Sequence, residues 1–283
     1  QFLTCFARVW QFAGFEICRM GSPGVPENTE FDDSPPPHHT VERGVVLTAG
    51  DNLMGQLGVA GEEKIIRFRR VAVPGTIEDI SCGKYYSVVC TKNSTAATCS
   101  RRAFAAGGSS RAEVKEGREQ STFRQLSIKG QVSRVACGEA HTLAATAQGE
   151  LFVWGSNANG QLGLGDCIDR KEATSHPELG LEGVTMLAAG GFHSLVVTAE
   201  GRLMAFGSNS NGQLGIGRRR RLMERPATEG FESYSEPQLV EFHDMPELEA
   251  AIEVTHVSAG LRHSAAVAST WHVPKEQWFV RGR

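Results

Sequence analysis

The sequence feature that most constrains the fold is a four-residue block, Gly-Gln-Leu-Gly, that occurs three times. The copies lie at Gly55–Gly58, Gly160–Gly163 and Gly212–Gly215, so they begin 105 and 52 residues apart. Since the first step is about twice the second, we expect a decayed copy near Gly107. A period of this size is typical of solenoids, propellers and tandem arrays.

A second pattern recurs in phase with the first and has the form small-Gly-x-x-ring-hydroxyl. Its glycines are 55, 52 and 70 residues apart, and the long last step coincides with an insertion at 218–237. The ring is histidine in three copies and tyrosine in the first. The four copies are Cys82–Ser87, Cys137–Thr142, Ala189–Ser194 and Ala259–Ser264.

The residues between the two patterns favour strands over helices. Ser194–Thr198 and Arg202–Gly207 are rich in β-branched, apolar and aromatic side chains and are separated by a turn, Ala199–Gly201, as in a β-hairpin. A third apolar run precedes each Gly-x-x-ring unit. Each repeat therefore predicts an antiparallel sheet of three or four strands. Such sheets bury both faces when they stack radially, so the sequence predicts a β-propeller.

The two patterns together resemble the regulator of chromosome condensation repeat family, whose members form seven-bladed propellers. The resemblance covers roughly Gly44 to Ala268. Its opening, Gly44–Gly50 followed by Gly55–Gly58, is similar to the start of the members that exchange nucleotide on Ran, in which the first strand closes the ring against the last blade. The fold expected is thus an all-β propeller of the regulator of chromosome condensation type.

The length indicates an incomplete ring. Seven blades would need about 360 residues at this period, whereas the chain has 283 and carries patterns for four to five blades. The start at Gln1 agrees with an incomplete chain. We expect a disordered or non-native segment at 1–42, propeller repeats at 43–270 with a degenerate second repeat at Thr91–Leu126, and an irregular tail at 271–283.

Composition argues against several functional classes. The net charge of −3 opposes nucleic-acid binding by the whole chain. The seven cysteines contain no Cys-x-x-Cys pair, and we expect Cys82, Cys90 and Cys137 to be small buried residues in a reducing compartment. No membrane helix, metal site or cofactor is predicted. The sequence shows no acid-base pair, Ser/His/Asp set or phosphate-binding loop, so nucleotide exchange is the one enzymatic activity that we expect could occur.

Five residues in the predicted turns are candidates for partner binding: Asp51, Asn52, Glu139, Asn157 and Arg262. Propeller turns commonly carry function. Glu139 matters because the resemblance implies acidic residues in these turns where a member acts on Ran. Simple turn chemistry is the alternative for Asp51, Asn52 and Asn157.

The three histidines of the second pattern, His141, His193 and His263, have two interpretations. They could line a binding face, or each could pack between neighbouring blades and bond to the backbone. Tyr86 occupies the same position in the first copy, which favours packing.

A basic run follows the last Gly-Gln-Leu-Gly block. Its five arginines could contact phosphates or act as a nuclear-localisation patch, and a solvated loop is the alternative. Acidic residues follow closely and would weaken its field. The arginines are Arg218, Arg219, Arg220, Arg221 and Arg225.

Two functional hypotheses follow, both for a nuclear or cytoplasmic protein. The first is a protein-interaction scaffold that presents a rim of variable loops on a rigid ring. The second, which rests on the resemblance, is a guanine-nucleotide exchange factor for a Ran-like small GTPase, associated with chromatin through the basic loop. Exchange requires tighter binding to the nucleotide-free GTPase than to the loaded one, and no covalent catalysis.

Overall fold

The computed structural model describes residues 45–94, 99–107, 122–217, 233–242 and 252–270. These residues form five antiparallel sheets and one short helix, α1 (Leu179–Glu182). Three sheets have four strands, and the first and last sheets have two.

The first sheet contains β1 (Val46–Asp51) and β2 (Lys64–Val71), and the second contains β3 (Thr76–Cys82), β4 (Tyr86–Ser94), β5 (Cys99–Gly107) and β6 (Arg124–Gln125). The third sheet contains β7 (Val132–Cys137), β8 (His141–Thr146), β9 (Leu151–Gly155) and β10 (Arg170–Ser175). The fourth contains β11 (Val184–Ala189), β12 (His193–Thr198), β13 (Leu203–Ser208) and β14 (Ser233–Leu239), and the last contains β15 (Ile252–Ala259) and β16 (Ser264–Thr270).

Each four-stranded sheet is a meander in which every strand pairs with the next one in the chain. The first strands of successive sheets pack together, β3 on β7, β7 on β11 and β11 on β15, so they line the inside of an arc. This is the arrangement of propeller blades, and it confirms the predicted fold class.

The two-stranded sheets are complementary halves of a blade. In the second and third complete blades, the Gly-Gln-Leu-Gly block follows the third strand and the Gly-x-x-His unit precedes the second. By the same criterion, β1–β2 are the third and fourth strands of one blade, and β15–β16 are the first and second strands of another. The described chain is therefore three complete blades between an outer half-blade and an inner half-blade.

The hydrophobic core lies between blades. One cluster joins Val88 and Cys90 of the first complete blade to Trp154 of the second, and another joins Leu143 of the second to Phe206 of the third. Trp154 and Phe206 are fully buried, as expected for equivalent core positions. Because each cluster takes side chains from two blades, no blade buries its faces alone.

The degenerate repeat still forms a blade. β5 ends at Gly107, whose φ of 108° matches the 100° of Gly155 and the 103° of Gly207 at the same position. Gly107 thus has the backbone conformation of the glycine at the end of the third strand in the other two complete blades. The fourth strand of this blade is only Arg124–Gln125, in agreement with an irregular outer edge.

One cysteine prediction was wrong. Cys90 and Cys137 are buried, but Cys82 is exposed, because no inner strand precedes β3 among the described residues to cover it, whereas Cys137 at the equivalent end of β7 packs against the first complete blade. The predicted segments 1–42 and 271–283, and the insertion up to residue 232, lie outside the described residues.

A glycine is required in each Gly-x-x-His unit, and in its Gly-x-x-Tyr equivalent, for a steric reason. The ring three residues later lies flat against it, so an added Cβ would come within 2.1 Å of the ring in Tyr86 and His193 and within 2.2 Å in His141 and His263. Real Cβ atoms do not approach so closely. At Gly138 the same Cβ would also be 2.5 Å from the carbonyl oxygen of Gly190 in the next blade.

We expect Gly138→Ala to destabilise the protein by about 2 to 3 kcal/mol, because the methyl group must displace both the ring and the backbone of the next blade. Gly180→Ala is the matched control, since its Cβ would meet its nearest atom at 3.5 Å. Urea unfolding followed by circular dichroism measures both. Equal stabilities for the two variants would contradict the steric explanation.

Candidate functional site

Two sets of loops meet along one edge of the propeller, which we call the loop rim. It consists of the Gly-x-x-His loops (83–85, 138–140, 190–192 and 260–262) and the Gly-Gln-Leu-Gly loops (52–58, 157–163 and 209–215). The amides of Ser156 and Ser208 donate to the carbonyl oxygens of Ala140 and Phe192 at 2.7 and 2.8 Å, which ties the two sets together.

Each Gly-Gln-Leu-Gly loop is held by its own asparagine and glutamine. In the middle copy, Asn157 Oδ1 accepts a hydrogen bond from the Leu162 amide at 2.9 Å, and Gln161 Oε1 accepts one from the Asn159 amide at 2.8 Å. The other two copies repeat both bonds. The loop shape is therefore encoded locally, with its polar side chains turned inward.

A chain of hydrogen-bonded polar groups, which we call the relay, links each blade to the next. It consists of the ring of one Gly-x-x-His unit, the serine of the next blade and the carbonyl group of a Gly-Gln-Leu-Gly glutamine. His141 Nε2 lies 2.9 Å from Ser194 Oγ in the following blade, and His193 Nε2 lies 2.8 Å from Ser264 Oγ. The serines in turn donate to the carbonyl oxygens of the Gly-Gln-Leu-Gly glutamines, Ser194 to Gln161 at 2.7 Å and Ser264 to the equivalent carbonyl at 2.6 Å.

This geometry fixes the tautomer of the histidines. A serine hydroxyl has one hydrogen, and that hydrogen is used by the glutamine carbonyl. Nε2 of His141 and of His193 must therefore carry the proton and donate it. Nδ1 of both rings is buried without a hydrogen-bond partner among the described residues, so protonation there would place an unsatisfied N–H in the core.

Burial accordingly lowers the pKa of His141 to about 3 and that of His193 to about 4. The neighbouring histidine of the next blade contributes to each of these lowered pKa values, less than burial does. Both rings are neutral at physiological pH. The interpretation of these histidines as packing elements between blades therefore fits the structure, and they are not available to a partner.

Tyr86 performs the same task in the first complete blade. Its hydroxyl donates to the His141 carbonyl oxygen at 2.5 Å and accepts from Thr142 Oγ1 at 3.0 Å. A phenol thus replaces an imidazole in the relay, because both rings lie on a glycine and reach the same groups of the next blade.

The side chains between the glycine and the ring project outward. Tyr85 and Phe192 are 37% exposed and Leu261 is 52% exposed, and Leu53 and Met54 extend the apolar surface on the first Gly-Gln-Leu-Gly loop. Amide-to-carbonyl contacts of 3.2 to 3.4 Å connect residues 84, 139, 191 and 261 in series beneath them. The loop rim therefore has a rigid backbone and exposed apolar tips.

Glu139 forms an ion pair across two loops. Its carboxylate lies 2.6 Å from Lys84 Nζ, and this hydrogen bond raises the pKa of Lys84. The ammonium group also lies 5.3 Å from the centre of the Tyr85 ring. The one acidic residue predicted in the Gly-x-x-His turns is thus already paired within the chain.

The structure separates the predicted partner-binding residues into two groups. Asn52 and Asn157 are buried, 6% and 0% exposed, and hold their own loops. Glu139 and Arg262 have side chains that reach the surface of the loop rim, and the side chain of Asp51 is exposed directly before it, at the end of β1. The pattern of residue types alone did not distinguish these groups, and it missed the apolar tips because their positions vary between repeats.

The five arginines of the basic run lie outside the described residues. Within the described ranges, no group of three or more His, Cys, Asp or Glu side chains could hold a metal ion. In the same ranges, no helix is long and apolar enough to cross a membrane.

The repeats match a known family. Models of the regulator of chromosome condensation (RCC1) repeat match residues 132–161 and 184–213, and 148–197 and 200–267. These matches coincide with the second and third complete blades and the inner half-blade. The chain belongs to this repeat family.

Two curated relatives share the repeats. The human probable E3 ubiquitin-protein ligase HERC6 is 33% identical over 185 residues, which are 60% of this chain and 17% of the relative. The ultraviolet-B receptor UVR8 of Arabidopsis thaliana is 31% identical over 201 residues, which are 68% of this chain and 44% of the relative. The chain thus spans less than half the length of either relative.

A solved structure has the same fold. The crystal structure of Prp20p from Saccharomyces cerevisiae, described together with its binding to Gsp1p and histones, superposes with a TM-score of 0.64 at 17% identity. The superposition covers 81% of this chain and 53% of Prp20p, so the chain corresponds to about half of that RCC1-type propeller.

We expect the free energy of unfolding to fall as the pH is lowered from about 6.5 towards 4. In this window the unfolded histidines, with an ordinary pKa of 6.5, bind protons, whereas His141 and His193 in the folded state do not. Protons therefore favour unfolding, and the full stability is present above pH 6.5. Denaturant titrations at successive pH values measure the slope.

His141→Tyr is the matched variant, because Tyr86 already occupies the equivalent position. We expect this variant to be folded at pH 7 and to show a shallower loss of stability on acidification. An unchanged slope would contradict the assignment of the acid sensitivity to the relay.

Proposed function

We propose that the chain is a non-enzymatic protein-interaction scaffold that binds its partner through the loop rim. The observation that carries the proposal is that the residues of the loop rim fall into two groups with opposite orientations. The repeated residues are turned inward, and the variable residues are turned outward on a fixed backbone.

The apolar tips support a protein partner. Tyr85, Phe192 and Leu261 come from three of the four Gly-x-x-ring loops and are exposed. Exposed aromatic and aliphatic residues on a pre-organised surface bind at low entropic cost, since little ordering is needed on association. Lys84, Glu139 and Arg262 add charges around these tips, as in the polar periphery of protein interfaces.

We expect the triple variant Tyr85→Ser, Phe192→Ser, Leu261→Ser to lose at least 90% of its specific partners, because anchors of this kind typically contribute about 2 kcal/mol each. The measurement is quantitative mass spectrometry of proteins captured by the tagged chain in cells. The matched control is Gln148→Ser, Leu181→Ser, Glu200→Ser, which changes three exposed residues near the opposite edge. Equal capture by both variants would exclude the loop rim.

Nucleotide exchange on a Ran-like GTPase is the second candidate function. It is supported by the similarity in fold to Prp20p, which binds Gsp1p, and by two carboxylates, Asp51 and Glu139, on the loop rim. The pairing of Glu139 with Lys84 weighs against it, because a partner would have to displace Lys84 to reach the carboxylate. This is why the scaffold is preferred.

If the chain acts as an exchange factor, we expect Glu139→Ala to slow the release of labelled GDP about tenfold, since loss of a charged interfacial contact typically costs about 2 kcal/mol. Lys84→Ala is the control for the ion pair: it frees the carboxylate and should leave release unchanged or faster. Absence of accelerated GDP release by the completed protein would exclude exchange and leave the scaffold.

The basic run supports a nuclear location under either function. We propose that Arg218–Arg221 and Arg225 act in nuclear retention or chromatin association and not in contact with the GTPase. Replacing Arg218–Arg221 with alanine is then a further control, which should leave GDP release unaltered while reducing association with DNA, most strongly at low salt.

A further inference from the structure

A buried histidine outside the repeated patterns occupies a position that is apolar in the other blades. The position lies at the end of the fourth strand, where the His176 amide donates to the carbonyl oxygen of Leu151 at 2.8 Å. His176 is only 2% exposed. Its equivalents, which pair with the first residue of the third strand and are also buried, are Val71, Leu126 and Val240. A polar ring at such a core position requires hydrogen-bond partners.

Both nitrogen atoms of the His176 ring have partners. Nε2 lies 3.0 Å from the Gly163 carbonyl oxygen, which can only accept, so Nε2 carries a proton and donates it. Nδ1 lies 3.2 Å from the Leu179 amide nitrogen and 3.4 Å from that of Glu178, and both amides can only donate. Nδ1 is therefore unprotonated and the ring is neutral. The ring thus joins the end of the middle Gly-Gln-Leu-Gly loop to the start of α1.

The start of α1 is held by this ring. Glu178 occupies the N-cap position but its side chain makes no capping hydrogen bond, so Nδ1 of His176 takes the place of the usual capping oxygen. Leu179 is buried in the core between the second and third complete blades, and α1 spans a single turn. Within the described ranges, no other blade has a helix at this place. The helix and the histidine therefore occur together, in the second complete blade.

A second proton on the His176 ring is incompatible with this contact. It would direct an Nδ1–H group at the amide N–H groups of Glu178 and Leu179. The bond from Nε2 to Gly163 needs only the proton that Nε2 already carries, so it is the same in both states. Protonation therefore separates the ring from α1 and leaves its contact with the loop in place.

The groups around the ring place its protonation at a higher pH than that of the relay histidines. The third complete blade covers the ring with Phe206, at 6.2 Å between ring centres. Burial lowers the pKa of His176 below the ordinary 6.5, and among the described residues the carboxylate of Glu178 is the charged group that opposes this change. The charged neighbours of His141 and His193 are other histidines, which together with burial lower their pKa values to about 3 and about 4. We therefore expect His176 to bind a proton while the relay is still neutral.

We propose that His176 is a proton-dependent latch for α1. The neutral ring holds residues 177–183 against the second complete blade, and the protonated ring releases them. Release uncovers the buried Leu179 and separates the Glu182 carboxylate from Arg202 of the third complete blade, which lies 3.2 Å away in the docked turn. Glu178, which is exposed, is then free to pair with the charged ring. Acidification thus creates an apolar surface near the edge opposite the loop rim, separate from the proposed partner-binding surface.

The direction of the effect follows from the difference in the pKa of His176 between the docked and the released turn. In the released turn this pKa returns towards 6.5, and in the docked turn burial keeps it lower. Opening therefore takes up one proton, and its equilibrium constant rises by up to about tenfold for each pH unit below this value. Above pH 6.5 the opening of α1 is independent of pH, and the turn has its full protection.

Hydrogen–deuterium exchange of the full chain, read by mass spectrometry from about pH 7.5 to about pH 5 and corrected for the intrinsic pH dependence of exchange, tests the latch. We expect the amides of 178–183 to lose protection on acidification. Those of β12 should keep theirs, because the relay histidines remain neutral in this range. Unchanged protection of 178–183 across the range, or a parallel loss in β12, would overturn the proposal.

Two variants assign the effect to the ring. His176→Val introduces the residue type of the equivalent positions Val71 and Val240, and it should leave α1 less protected at pH 7 with no further loss on acidification. Glu178→Gln removes the opposing charge at an exposed position, so the loss of protection should begin at a lower pH. The pH dependence of the unmodified chain, found again in either variant, would overturn the proposal.

Nitrogen-15 NMR of the histidine-labelled chain observes the ring directly, with the His176 signals identified by their absence in His176→Val. We expect the Nε2–H tautomer above pH 6.5 and proton uptake over the range in which 178–183 lose protection. A ring that stays neutral while α1 opens would also overturn the latch.

Discussion

The contact on which the structure depends is the ring that lies on a glycine of its own blade and bonds to the next blade. The glycine is required because a Cβ would overlap the ring, and the ring is required because it reaches the hydroxyl and carbonyl of the following repeat. One local unit, Gly138 to His141, thus packs the ring within its own blade and bonds it to the next blade. The stability of such an array is a sum over neighbouring interfaces, so the period of this unit sets the period of the fold.

The sequence predicted the elements that depend on local geometry. The positive φ of Gly155 and Gly207 and the inward-turned asparagine of each Gly-Gln-Leu-Gly loop are encoded within a few residues, and both recur visibly. The spacing alone predicted a decayed copy near Gly107, and this glycine has a positive φ like that of Gly155 and Gly207. Fold class and blade order follow from these positions.

Contacts between residues that vary from repeat to repeat could not be predicted. The Lys84–Glu139 pair joins loops 55 residues apart, and no periodic pattern marks either residue. The exposure of Cys82 follows from its place in the first described inner strand, since the equivalent Cys137 is covered by the preceding blade. The candidate site was therefore predicted as a region, the turns around Glu139 and Arg262, but its buried and exposed members were separated only by the three-dimensional arrangement.

The neutral histidines also determine which residues a partner can reach. Because His141 and His193 are buried and their Nε2 protons are donated to serines of the next blade, the repeated residues act in packing, and a partner can reach only the residues before each ring, which differ between the repeats.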